Sequence, residues 1–131
     1  MKLLEVKNLN LEFHDTIPPT QVTRQVSFDM EEEEILGIVG ESGSGKTQTA
    51  LSILQLLKSH EKIASGEILF QGKNLARLSQ EEMEKIRGKE ISMIFQEPMT
   101  SLNPVLTIGE QMEEGLKLHT QMTGEERKKK V

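Results

Sequence analysis

The sequence predicts an α/β fold, and three observations carry the prediction. Leu3–Phe13 and Val22–Met30 alternate apolar and polar side chains, as strands of an antiparallel sheet with one covered face do. Ile35-Leu36-Gly37-Ile38-Val39 is continuously apolar and rich in β-branched residues, the pattern of a strand buried on both faces of a parallel sheet. A glycine-rich loop follows, and beyond it the apolar period changes to that of a helix.

Taken in order, Leu4, Val6, Leu9, Leu11 and Phe13 are the apolar positions of the first strand region, which reads as a strand or two of an exposed antiparallel sheet. His14–Gln21, with Pro18-Pro19, reads as a loop. Glu31–Glu34 is a run of four carboxylates. It reads as a solvated turn rather than a metal site, because consecutive side chains on a turn do not converge. After Ile35–Val39 and the loop, Ala50, Leu51, Ile53, Leu54 and Leu57 share one face of a helix starting at Lys46. Ala64-Ser65-Gly66 reads as a turn, and Glu67–Gln71 as a short strand ended by Gly72. Ser79 and Glu82 form a capping box for a helix reaching about Arg87, with Gly88 as its stop. Ile91–Phe95 is strand-like, and Gln96–Pro104 is a loop. Thr107 with Glu110, and Thr123 with Glu126, open two further helices.

Composition narrows the function. The 131 residues carry 16 Lys and Arg against 21 Asp and Glu, a net charge of −5 that nucleic-acid phosphates would repel. With no Trp, no Tyr and four Phe, a base-stacking platform is not available. The absence of Cys excludes disulfides and thiolate-ligated metals. The longest apolar run, Ile35–Gly40, is far short of the roughly 20 residues of a membrane span, so a cytoplasmic chain, at most peripheral to a membrane, is expected.

Gly40-Glu41-Ser42-Gly43-Ser44-Gly45-Lys46-Thr47 matches the phosphate-loop pattern G-x-x-x-x-G-K-S/T. Its glycines permit a tight loop in which backbone N–H groups of Ser42–Thr47 point inward. The helix opening at Lys46 adds its leading N–H groups and positive dipole end. The Lys46 ammonium suits the β- and γ-phosphates, and the Thr47 hydroxyl suits Mg²⁺. A strand before the motif and a helix after it are the context the motif requires, so a P-loop NTPase is the fold expected.

Gly37–Thr47 also resembles the Walker A region of ABC-transporter ATPases. Ile94-Phe95-Gln96-Glu97-Pro98-Met99-Thr100-Ser101-Leu102-Asn103-Pro104 closely resembles the Q-loop of ABC importers for dipeptides, oligopeptides and nickel. The resemblance covers nearly the whole chain. It implies an antiparallel β-subdomain and nucleotide-binding core over 1–96, and the Q-loop and start of a helical subdomain over 97–131. Phe13 takes the place of the aromatic that stacks on adenine, the alternative being a plain core Phe. Gly40, Ser42, Gly43, Ser44, Gly45, Lys46, Thr47 and Gln48 take the places that bind ATP. Gln96 takes the place of the glutamine that reaches Mg²⁺ or the attacking water, where a loop Gln alone would read as solvated surface. Thr47 and Gln96 are the implied metal ligands, and Lys46 and Gln96 the implied catalytic residues.

The implied parent function is ATP hydrolysis driving import of peptides or nickel. Its implied partners are transmembrane permease subunits, met through the Gln96–Pro104 loop, and a second ATPase subunit. The implied place of work is the inner face of the cell membrane. Two departures stand out. Glu33 occupies a turn position where the family has Gly, implying a looser turn. The signature loop, the Walker B strand and the switch His are not in the sequence: His14, His60 and His119 lie elsewhere. The chain therefore reads as about the first half of such a domain, expected to bind ATP without hydrolysing it alone. A P-loop kinase or GTPase, a non-catalytic binding module, and an ATPase of another ABC class remain the alternative readings.

Overall fold

The structure is a computed structural model describing residues 1–96 and 102–131. The chain divides into two compact units, Met1–Met83 and Glu84–Val131.

The first unit is built on one antiparallel sheet. Its long strand β1 spans Lys2–Phe13, longer than most because both of its edges are paired. One edge takes β2 (Thr20–Gln21) and β3 (Val26–Glu31), and the other takes β4 (Glu61–Phe70). A two-residue strand, β5 (Lys73–Asn74), pairs with the end of β4. Gln71 and Gly72 both have positive φ, 49° and 81°, which matches the right-handed twist of a tight hairpin between β4 and β5. The alternation read from the sequence holds on β1 and β3. Leu4, Val6, Leu9 and Leu11 are buried, and Val26, Phe28 and Met30 are the less exposed residues of β3. Leu54, Ile68, Leu75 and Met83 complete the buried apolar set of this unit among the described residues, each side chain contributing about 1.5–3 kcal/mol by leaving water.

Helix α1 (Lys46–Ile53) follows the glycine-rich loop, and α2 (Gln80–Glu84) opens with the expected box. Ser79 N–H donates to Glu82 Oε2 at 2.8 Å, and Glu82 N–H donates to Ser79 Oγ at 3.2 Å. That helix ends at Glu84, earlier than the pattern suggested. A 3₁₀ turn over Leu75–Arg77 joins β5 to α2, capped by the Asn74 side chain. In the second unit, α3 (Ile108–His119) and α4 (Gly124–Lys130) begin where Thr107 and Thr123 predict, each with both arms of its capping box made. Among the described residues no helix is long and apolar enough to cross a membrane.

The structure corrects several expectations. Ile35–Val39 forms no strand and is not buried: Ile35 is 97% and Val39 94% exposed. Among the described residues Ile91–Phe95 likewise makes only one isolated bridge, Arg87 to Ile91, and Ile94 is 98% exposed. An apolar, β-branched run creates the demand for a neighbouring strand without supplying one. The described strands pair among themselves, and none pairs with either run. Ala64-Ser65-Gly66 is not a turn but the middle of β4. There β1 shifts register between Lys7 and Asn10, and Gly66 at φ 104° lets the two backbones close. The supposed loop 14–21 ends in β2. The turn at Glu33 is closed rather than loose. Glu33 adopts φ 63°, Glu34 N–H donates to the Glu31 carbonyl at 3.3 Å, and the Glu34 carboxylate accepts from Glu31 N–H at 2.7 Å. In α1 the most buried positions include Thr49 and Ser52, with Leu54 just beyond the helix; the remaining predicted apolar face is only half-covered.

Candidate nucleotide-binding loop

The loop before α1 owes its shape to three glycines. Gly43 and Gly45 have φ of 80° and 93°, a region that side chains strain to enter. At Gly40 a Cβ would lie 2.6 Å from Ser44 Oγ and 3.3 Å from Ser44 Cβ, so a side chain there would push the Ser44 side chain aside. Ser44 N–H donates to the Glu41 carbonyl at 3.1 Å, closing the turn between them.

Gly45 is also the N-cap of α1, and no side chain caps the helix there. The leading N–H groups of a helix have no intrahelical acceptor and carry a partial positive charge. The first intrahelical bond runs from Thr49 N–H to the Gly45 carbonyl at 2.9 Å, and the Thr49 hydroxyl donates to the same oxygen at 2.8 Å. This fixes the first turn and leaves its open end facing the loop.

Lys46 folds back over the loop it terminates. Its Nζ donates to the Gly40 carbonyl, to the Glu41 carbonyl at 2.9 Å and to Ser44 Oγ at 3.2 Å. The ammonium is thereby held at the centre of the loop by oxygens of the loop itself. Ser42, Gly43, Ser44 and Thr47 are exposed, Gln48 is half-covered in the first turn, and Gly45 is buried. Gly40, Ser42, Gly43, Ser44, Gly45, Lys46, Thr47 and Gln48 are thus gathered around one helix end, as their spacing predicted.

Two further residues carry roles expected from the sequence, Phe13 and Gln96. Phe13 ends β1, half-covered, with its ring edge-on to His60 at a centroid separation of 5.5 Å. The pair is fixed by the His14 N–H bond to the His60 carbonyl at 2.7 Å. Gln96 belongs to the second unit and is exposed. Its Q-loop neighbours Glu97, Pro98, Met99, Thr100 and Ser101 lie outside the described residues.

One residue at the loop was not singled out from the sequence. Thr23 is 4% exposed, and its side chain sits against Gly45. Its only sequence signal was a β-branched hydroxyl within an alternating stretch, which does not distinguish it from any sheet threonine.

A loop of this build, with two glycines at positive φ, an uncapped helix N-terminus and a central ammonium, is suited to a polyphosphate. The sequence pattern of the ABC transporter family matches residues 23–131. The chain belongs to that family. Among relatives of this ABC chain, the dipeptide transport ATP-binding protein DppD of Lactococcus lactis subsp. cremoris is 52% identical over 118 residues, 90% of this chain and 34% of that protein. The oligopeptide transport ATP-binding protein OppD of Bacillus subtilis is 47% identical over 131 residues, 99% of this chain and 37% of that protein. The bacterial ABC transporter cassette MJ0796, solved as a dimer, superposes with a TM-score of 0.81 at 30% identity, over 96% of this chain and 53% of that one. Its post-hydrolysis structure, bound to ADP and Pi, gives 0.79 at 28% identity. The fold of this chain is therefore that of an ABC ATPase cassette, over about half of the cassette's length. The chain spans little more than a third of the curated relatives it matches.

Proposed function

We propose that this chain is the ATP-binding part of a peptide importer, and that residues 40–48 hold the triphosphate. The observation that carries the reading is the Lys46 ammonium centred in a glycine-built loop at the uncapped start of α1. The backbone N–H groups of Ser42–Thr47 bind phosphate oxygens, and Lys46 exchanges loop oxygens for the β- and γ-phosphates. Phe13, at the end of β1, stacks on the adenine. Peptides rather than nickel are the proposed cargo, because the DppD and OppD relatives are named for peptide transport.

Mg²⁺ fits the donors present. The exposed Thr47 hydroxyl is a hard oxygen at the loop, and Mg²⁺ takes few protein ligands beside waters and phosphate oxygens. Among the described residues no cluster of three or more His, Asp or Glu side chains offers a rival metal site. Thr47 would hold the ion, and its bound charge would offset that of the phosphates.

The proposed assembly is a pair of ATPase subunits on transmembrane permease subunits, at the inner face of the cell membrane. Residues 97–131 begin the helical subdomain, and the Gln96–Pro104 loop relays nucleotide occupancy to the permease. The 131 residues contain no Walker B carboxylates and no signature loop, so this chain binds ATP without turning it over. A phosphate-release assay tests this: no steady release is expected from the chain alone. Steady release that disappears in Lys46→Ala would contradict it.

A further inference from the structure

Three buried polar side chains stand out among the described residues: Thr23, Thr49 and Ser52. The Thr49 and Ser52 hydroxyls bond to carbonyls of their own helix or its cap. Thr23 alone joins separate segments. Leu11 N–H donates to its Oγ1 at 3.0 Å, and the same hydroxyl donates to the Leu9 carbonyl at 3.1 Å. The flanking backbone grips the same place, with Val22 N–H and Thr23 N–H both donating to the Leu11 carbonyl, at 2.8 and 3.4 Å. On its other side, Thr23 Cγ2 would lie only 2.8 Å from a Cβ placed on Gly45. One side chain therefore has its hydroxyl in β1 and its methyl under the last glycine of the phosphate loop.

We infer that Thr23 is a positioning residue that seats the phosphate loop on β1, the strand that ends at Phe13. The inference rests on the reading of residues 40–48 as a phosphate loop. Both halves of the side chain are needed. The hydroxyl anchors residues 22–23 by satisfying a buried N–H and a carbonyl, and the methyl supports Gly45 at its positive φ. Removal of either lets the start of α1 shift relative to β1, and a shift there misaligns donors that must converge on one phosphate chain.

Two conservative variants of the full 131-residue chain separate the halves. Thr23→Ser keeps the hydroxyl and removes the methyl; Thr23→Val keeps the methyl and removes the hydroxyl. At a temperature where circular dichroism shows both folded, each is expected to bind inorganic tripolyphosphate roughly three- to tenfold more weakly than the parent. In each, amide hydrogen exchange of Ser42–Thr47 is expected to quicken while that of Ile68–Phe70 in β4 does not change. A merely structural threonine would lower the melting temperature and leave both readouts of the folded chain unmoved, which would overturn the inference. If the parent itself does not bind tripolyphosphate, the phosphate-loop reading falls, and the exchange comparison still decides the role of Thr23.

Discussion

Gly66 and Glu33 both hold the backbone at positive φ, at 104° and 63°, with opposite suitability for it. At Gly66 the position is closed on the far side as well. A Cβ there would lie 2.5 Å from the Asn8 carbonyl oxygen and 2.7 Å from Leu9 Cα, both backbone atoms of β1 that cannot swing away. Gly66→Ala should therefore cost about 3 kcal/mol or more, through strain and the parting of β1 from β4. Urea unfolding monitored by circular dichroism measures this, and a loss below about 1 kcal/mol would show that the strands accommodate the methyl group. Glu33 occupies a left-handed position that glycine fills without a Cβ penalty. Its turn is held by the neighbouring Glu31 and Glu34 rather than by its own side chain. Glu33→Gly should stabilise the chain by roughly 0.5–1 kcal/mol, the left-handed penalty less the extra backbone entropy of glycine.

Helix α3 depends on its first turn more than on packing, since none of its residues is fully buried. Thr107 Oγ1 accepts from Glu110 N–H at 3.1 Å, and the Glu110 carboxylate accepts from Thr107 N–H at 2.8 Å. Thr107→Ala should cost the helix about 1 kcal/mol, seen as lost protection of the Glu110 and Gln111 amides. The backbone hydrogen bond from Thr107, helped by its hydroxyl, holds the Glu110 carboxyl below its ordinary value. A depressed carboxyl contributes stability that is present above its unfolded value, near 4.5, and lost as pH falls through its folded value. Helicity in α3 should accordingly decline on acidification below about pH 4.5, and decline less in Glu110→Gln. The three capping boxes were legible because each is a local bargain between residues three apart, complete within one turn. The glycine-built loop before α1 was legible for the same reason. Ile35–Val39 and Ile91–Phe95 were misread because a strand is a relation between segments, and apolar sequence states only one side of it. Gly66 was misread because a bulge on β1 decides its surroundings, more than fifty residues away in sequence. Thr23 was invisible because its value lies in touching both Leu11 and Gly45, a coincidence only the fold creates.

At the scale of the molecule, both units carry uncovered apolar surface. Ile35, Ile38 and Val39 are exposed in the first unit, and Ile94, Val105, Ile108, Met112 and Leu118 in the second. Apolar patches of this kind recruit partners, and apolar extended segments without strand neighbours do so most readily. The 131-residue chain should therefore self-associate, or else show a mobile C-terminal third. A strict monomer by light scattering, with residues 105–131 as protected from hydrogen exchange as residues 46–53, would contradict both outcomes. The central claim, that the loop over 40–48 is a nucleotide site, is tested most directly by titrating this chain with a fluorescent ATP analogue. The parent should bind saturably. Lys46→Ala should bind roughly 10- to 150-fold more weakly, as expected for loss of charge-assisted hydrogen bonds worth about 1.5–3 kcal/mol. Equal binding by the two proteins would contradict it.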